Sequence, residues 1–266
     1  MDPLIFLRNF VREPRLAGVD LEGAELLSLH RQVLMEKPMM RTVFAEFYRL
    51  CRSLDDEYFS GTGFRVELGA GSSFMKTLYP EVVATDFKQA CHLDKCIDAQ
   101  NMDLENDSVR AFYGLNCFHH FSAPRSFFSE LCRVLQPGGG CVLIEPYHSW
   151  LGKLLYRRLF DSESFDMDQA QWESPGQGVM ERANQALSYI VFERDYRQFG
   201  SEFPELSIVA KRLIPNYPRY LLSGGLNFRQ LVPQRAEGLV CVVERFMRPF
   251  LPMFALHYVV VLRKNA

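Results

Sequence analysis

The residues whose types and spacing could do chemistry are a glycine turn, a carboxylate beyond it, and imidazoles and a phenol that follow apolar runs. The turn is Glu67-Leu68-Gly69-Ala70-Gly71, and Asp86 lies 17 positions after Gly69 (86 − 69). A carboxylate at that distance, at the end of a second strand, accepts hydrogen bonds from the two hydroxyls of a ribose bound over the turn. His119 beside His120, and Tyr147 beside His148, are the side chains that could contact a ligand or take a proton near neutral pH. The dinucleotide fingerprint wants a third glycine where this chain has Phe74, which disfavours a nicotinamide or flavin dinucleotide.

These groups need a parallel sheet to position them. Val66 and Leu68 are the branched, apolar residues of a buried strand, and Phe74, Met75 and Leu78 follow at helical spacing up to Pro80. Val82–Thr85 reads as the next strand, ending at Asp86, and Val109–Leu115 as the fourth, with Asn116 at its carboxyl edge. Pro124 starts a helix through Val134 in which Glu130 and Arg133 pair, Gln136–Gly140 ends it, and Cys141–Ile144 is the fifth strand. That strand delivers Glu145, Tyr147 and His148 to the sheet edge where open parallel sheets bind ligands.

Five ordered motifs resemble those of class I S-adenosylmethionine-dependent methyltransferases: Glu67–Gly71, Asp86, Asp98-Ala99, Asn116 with His119-His120, and Arg133–Gly139. The resemblance spans roughly residues 62–147. It implies a Rossmann-like, doubly wound α/β fold with a mostly parallel seven-stranded sheet, an antiparallel last strand at its edge, and helical insertions before the core and after the fifth strand. It implies S-adenosyl-L-methionine as cofactor, held by Glu67, Gly69, Ala70, Gly71, Asp86, Phe87, Asp98, Ala99 and Asn116, with Asp98 accepting from the adenine amine. The reaction implied is methyl transfer to an O, N or C nucleophile of a small-molecule, lipid-like or glycan-linked acceptor. His119, Tyr147 and His148 are the candidate catalytic groups if a proton must be removed, and Tyr113 or Phe118 could flank the sulfonium. A nicotinamide-dependent oxidoreductase and a cofactor-binding protein without transferase activity are the competing readings.

Composition fits one soluble enzyme domain: 266 residues, 48% hydrophobic and 23% charged. A net charge of −2 argues against a nucleic-acid partner. The seven cysteines are scattered without a CxxC pair, the usage of a reducing compartment; Cys91-His92 with Cys96 lacks further ligands for zinc, so no metal is expected. No secretory signal is evident, which predicts cytoplasmic residence.

Outside the core, residues 1–55 are expected to form a helical lid, residues 56–148 the cofactor-binding core, and residues 149–266 a helical substrate cap with the last two strands. Leu4, Leu7, Phe10 and Val11 predict a first helix, Asp20 caps a second that breaks at Lys37-Pro38, and a third carries Met40, Val43, Phe44, Phe47, Tyr48 and Cys51. Trp150, Leu151, Leu154, Leu155 and Leu159 share one face of a helix whose other face holds Lys153 and Arg157. Peripheral membrane contact there is a minority reading, because the acids Asp161, Glu163, Asp166 and Asp168 that follow would repel an anionic bilayer. Ser174–Gly178 marks a turn, after which a helix through Phe192 carries Asn184 and Gln185 as candidates for substrate recognition. Leu206–Ala210 and Phe254–Leu262 read as the last strands, with Tyr217–Gly225 between them as a glycine-rich loop walling the pocket.

Overall fold

The computed structural model describes residues 11–265, apart from 21, 22, 24, 161 and 175–177. The expected first helix at Leu4, Leu7 and Phe10, Asp161, and the Pro175–Gln177 part of the turn lie outside those residues. Seven strands form one sheet in the order β3-β2-β1-β4-β5-β7-β6. They are β1 (Phe64–Leu68), β2 (Val83–Asp86), β3 (Lys95–Cys96), β4 (Val109–Leu115), β5 (Leu135–Pro146), β6 (Leu206–Leu213) and β7 (His257–Lys264). The first five run parallel, with Val66 opposite both Val83 and Phe112. Because β1, β4 and β5 are covered on both faces, their residues are buried almost without alternation.

One face is covered by α2 (Pro38–Tyr58) and α3 (Phe74–Leu78), whose Met40, Val43, Phe47, Cys51 and Met75 pack with Ala111, Val142 and Val259. The other is covered by α4 (Pro124–Val134) and the segment 187–203. There Phe118, Phe127, Phe128, Phe192 and Phe199 form an aromatic cluster with ring centroids 5.0–5.9 Å apart. After β5 the chain leaves the sheet through helix α5 (Trp150–Arg158). Asn116 takes a positive φ at the end of β4, a conformation asparagine tolerates, and so turns the chain sharply at the sheet edge.

Several sequence expectations shift. The last strand is antiparallel as expected, but it lies inside the sheet between β5 and β6, and β6 is the edge. Burial along β7 explains this: residues 257–262 are all buried, which an edge strand would not need. The Gln136–Gly140 run does not sit between α4 and β5; β5 starts at Leu135, and the glycines lie in an irregular stretch of it. A Cβ on Gly140 would stand 2.2 Å from the Phe59 ring and 2.3 Å from the Leu262 carbonyl, so only glycine fits between the end of α2 and β7. The helix expected through Phe192 is a short turn, Leu187–Tyr189, that widens into a π-helix, Ile190–Arg194, followed by α6 (Tyr196–Glu202) across Phe199-Gly200. The helix that Asp20 was to cap, α1 (Glu25–Glu36), begins five residues later, after a turn in which Gly23 donates to the Asp20 carbonyl. Of the loop 217–225, the first part is helical, α7 (Tyr217–Leu222). Among the described residues, no helix is long and apolar enough to cross a membrane.

Candidate active site

The carboxyl ends of β1, β2, β4 and β5 open into a single crevice of about 840 Å³. Its first end is the glycine turn. Gly69 and Gly71 have φ of +60° and +47°, and a Cβ on Gly69 would stand 2.7 Å from the Cys117 Cβ, so no side chain fits at Gly69. Above Gly71 the space is open to a ligand, with only the Gly69 carbonyl at 3.8 Å. Asp86 accepts the Gly71 amide at 3.0 Å through Oδ2 and the Lys88 amide at 3.1 Å through Oδ1, which fixes its carboxylate at the crevice wall. Phe87, 56% exposed, lies beside it and offers a ring face. Asp98 is held by Gln100, whose amide donates at 2.9 Å, and Ala99 and Gln100 complete that wall. Ala70 and Asn116 also face the crevice.

Glu67 is placed differently from the other expected contacts. Its side chain is buried beneath the turn, with the Tyr48 hydroxyl bonded to it and Oε2 without a hydrogen-bond partner. Burial pushes its pKa up to about 8, Tyr48 opposing and the charge of Asp86 adding to it. A carboxyl raised above its ordinary 4.5 costs the fold stability that grows from that pH up to about pH 8 and is constant beyond. Glu67→Gln is therefore expected to raise the folding stability of the cofactor-free protein at pH 7.5 by up to about 4 kcal/mol, and by much less at pH 5; a denaturation series over that range checks it.

The second end of the crevice holds the titratable groups. His119, in the turn Phe118–His120 after β4, is 3% exposed. Its Nδ1 lies 2.6 Å from Glu145 Oε2 and its Nε2 lies 3.2 Å from Glu163 Oε2. Burial alone would lower its pKa, but the two carboxylates outweigh it and push it up to about 10, so the ring is an imidazolium at neutral pH. Glu145 is fixed by the amides of Cys117 and Phe118 at 3.0 and 2.9 Å, at the end of β5. Burial would raise Glu163, yet His119 and His120 hold it down at about 2. Ligand atoms of His119, His120 and Glu163 all lie within 4.8 Å of one another, a donor set that could take a cation, although both nitrogens of His119 already face carboxylates. His257, driven down to about 3 by burial and by His119, is a neutral imidazole 3.4 Å from the Asn116 amide nitrogen.

The other expected catalytic residues lie elsewhere. Tyr147 packs against Tyr258 at 5.5 Å and belongs to the aromatic face of the sheet, and His148 meets the Tyr189 ring at a tilt, 4.4 Å away; neither lines the crevice. The reason is the alternation of side chains past β5: Glu145 points into the site, and the residues beyond Pro146 turn under the sheet. Tyr113 and Phe118 are likewise buried, Tyr113 on Asp55 and Phe118 in the aromatic cluster, so neither can flank a ligand cation. Asn184 is consumed by the backbone: it accepts from the Asp166 and Ala186 amides and donates to the Asp166 carbonyl. Gln185 does reach the crevice, donating to the Phe160 carbonyl at 3.0 Å.

Two distant parts of the chain close over the crevice. Arg12, Leu16, Leu26, Leu27 and His30 come from the N-terminal side, and Tyr220 and Leu226–Phe228 from the segment after β6. They are tied to each other by the Arg12–Phe228 bridge, by His30 Nε2 and Asn227 Oδ1 at 3.0 Å, and by Lys37 Nζ donating to the carbonyls of Gly225 and Phe228.

The sequence matches the family described as Methyltransferase domain over residues 66–143, the stretch that builds the glycine turn, Asp86, Asp98 and Asn116. Residues 66–143 are a methyltransferase domain. Its cofactor is S-adenosylmethionine. The site suits that group: an acceptor-only Asp86 faces where ribose hydroxyls donate, and the space over Gly71 is open. No curated protein matches the methyltransferase sequence. Solved structures similar to it include geranyl diphosphate C-methyltransferase from Streptomyces coelicolor A3(2), 15% identical over 96% of this chain and 89% of that one, TM-score 0.47. Phosphoethanolamine N-methyltransferase 2 from Haemonchus contortus is 10% identical over 82% and 52%, TM-score 0.43. The [4+2]-cyclase SpnF is 12% identical over 82% and 81%, TM-score 0.44.

Proposed function

We propose that the methyltransferase acts on a hydroxyl oxygen of a small, glycan-like acceptor bound at the His119 end of the crevice. The observation that carries this reading is the Glu145–His119–Glu163 array, a proton-accepting carboxylate held ionised at the end of the crevice away from the Asp86 cradle. The volume of about 840 Å³ leaves room for a second molecule beside a nucleoside-sized cofactor. Tyr156, Phe160 and Tyr220 offer flat apolar faces there, and Asn116 and Gln185 offer amides, a mixture suited to the ring faces and hydroxyls of a sugar.

When bound, the cofactor supplies a methyl group already activated by its sulfonium. Gly69, Ala70, Gly71, Asp86, Phe87, Asp98, Ala99 and Asn116 would hold it, with Glu67 beneath. Glu163 would take the proton that the acceptor hydroxyl gives up when it receives that methyl group. His119 keeps Glu163 ionised until then, and Glu145 keeps His119 charged and oriented. The N-terminal segment and residues 226–228 act as a lid that excludes water.

Screening acceptor pools for formation of the demethylated cofactor, with labelled methyl in the product, tests the activity. Glu163→Gln is expected to lower kcat by about 100-fold while the cofactor Kd stays unchanged. The pH profile separates this base from a neutral histidine. With Glu163 ionised down to about pH 2, kcat holds level across the neutral range. A rise through about pH 6.5 would assign the base to a histidine instead.

A further inference from the structure

Helix α8 (Glu237–Met247) is amphipathic with its apolar stripe turned outward. Leu239, Val242, Val243 and Phe246 follow the i, i+3, i+4, i+7 spacing of one helix face, and Leu239 and Phe246 are 70% and 77% exposed. Its buried side holds Val240 and Glu244, the latter clamping Arg219 at 2.9 Å, so a buried ion pair and one valine hold the helix while its main apolar stripe faces out. The stripe continues through Phe250 and Met253, each about half exposed, to α5, where the Trp150 ring meets Phe254 edge-on at 6.4 Å. Trp150, 63% exposed, and Leu154 extend the patch along α5.

Basic residues border this surface. Lys153, Arg157 and Arg158 come from α5 and Arg245 and Arg248 from the end of α8; none of the five forms an ion pair among the described residues. Helix α5 has no acid, and the two acids of α8, Glu237 and Glu244, both face Arg219, at 3.8 and 2.8 Å. Of the acids that follow α5 in sequence, three of the described ones have partners elsewhere: Glu163 faces His119 in the crevice, Asp168 lies near Arg194, and Asp166 accepts the Asp168 amide. The repulsion of an anionic surface that closeness in sequence suggests is therefore weakened for these three.

We propose that this face of α5, α8 and the turn between α8 and β7 docks on an anionic lipid bilayer. An exposed apolar stripe rimmed by cations without acidic partners, on helices too short to span, matches the requirements of an interfacial helix, where apolar burial and attraction to anionic headgroups act together. Helix α5 shares itself between the two surfaces: Tyr156 on its inner side lines the crevice while Trp150 and Leu154 face outward. Docking would thus bring the acceptor end of the crevice to the membrane, whatever the acceptor atom.

The chain has two tryptophans, and Trp172 is 1% exposed, so a change in emission reports Trp150. The whole chain is mixed with vesicles of phosphatidylcholine alone or with phosphatidylglycerol added, and binding is read by flotation and by Trp150 emission. The expected result is binding to the anionic vesicles with a blue shift, weakened by salt. Leu239→Glu with Phe246→Glu is expected to cut partitioning by more than about tenfold, and Arg245→Glu with Arg248→Glu to remove the preference for anionic lipid. Cofactor titration and melting curves confirm that each variant is folded. Absence of binding, or equal binding to neutral vesicles, overturns the proposal. So does a concentration-dependent dimer that Phe246→Glu dissociates in the absence of vesicle binding, which would assign the face to a second copy.

Discussion

Asp86→Ala lowers affinity for S-adenosylmethionine by about 100-fold or more in a calorimetric titration. Both carboxylate oxygens are already aimed by backbone amides, Gly71 at 3.0 Å and Lys88 at 3.1 Å, so ribose hydroxyls meet a prearranged ionised acceptor. Hydrogen bonds to a charged group contribute about 1.5–3 kcal/mol each, and two of them set the expected loss. The Gly71 amide loses its partner in the same variant, which loosens the turn that passes under the cofactor. Asp86→Asn keeps the shape and loses the charge, and should fall between wild type and Ala. Unchanged affinity in Asp86→Ala would mean that the cofactor's ribose lies elsewhere.

Asp55→Ala is expected to cost about 3–5 kcal/mol of folding stability without touching the crevice. Asp55 is fully buried near the end of α2 and accepts from Tyr113 at 2.6 Å, Arg65 and Arg110 at 2.8 Å, and Arg52 at 2.9 Å. Those partners come from β1, β4 and α2, so one carboxylate fastens the longest helix to the sheet, and its removal strands three guanidinium groups around an empty site. Burial would raise the Asp55 pKa, but hydrogen bonds from Tyr113, Arg65 and Arg110 outweigh it and hold it below its ordinary 3.8. A depressed carboxyl stabilises the fold above that pH and loses the contribution as pH falls through the lowered value. The difference in chemical-denaturation midpoint between wild type and Asp55→Ala should therefore be full at neutral pH and shrink in acid below pH 3.8. A gap that persists undiminished in strong acid would place the stabilisation in packing.

The part of the site that was legible in the sequence is the part built from consecutive residues. A glycine turn after an apolar strand, an aspartate at the next strand's end and Asp98-Ala99 beyond it each carry their position in their own neighbourhood, and the crevice gathers them. Glu145 is within reach of the same logic, since it lies at the end of β5, but Tyr147 and His148 beside it are the more conspicuous side chains although they pack under the sheet. Glu163 and His257 have no local signal. They reach the crevice because the segment after α5 and the start of β7 return to it, and such long-range placement is set by packing. His119 is visible in the sequence, but its character is not: a histidine's charge depends on the two carboxylates brought to it by other strands and loops. The inward position of β7 is hidden for a similar reason, because an apolar run fits an interior strand as well as a half-covered edge.

That inward position bears on how the chain is made. Strand β7 follows both of its neighbours in sequence, so it leaves the ribosome after them and must enter the gap between β5 and β6, pairing with both along almost its whole length. Until it arrives, β5 and β6 each present an unpaired row of backbone donors and acceptors flanked by Val142, Ile144 and Ile208. The nascent protein therefore carries two adhesive strand borders while everything from β6 to α8 is being synthesised, and a chain cut short before His257 would keep both exposed for good.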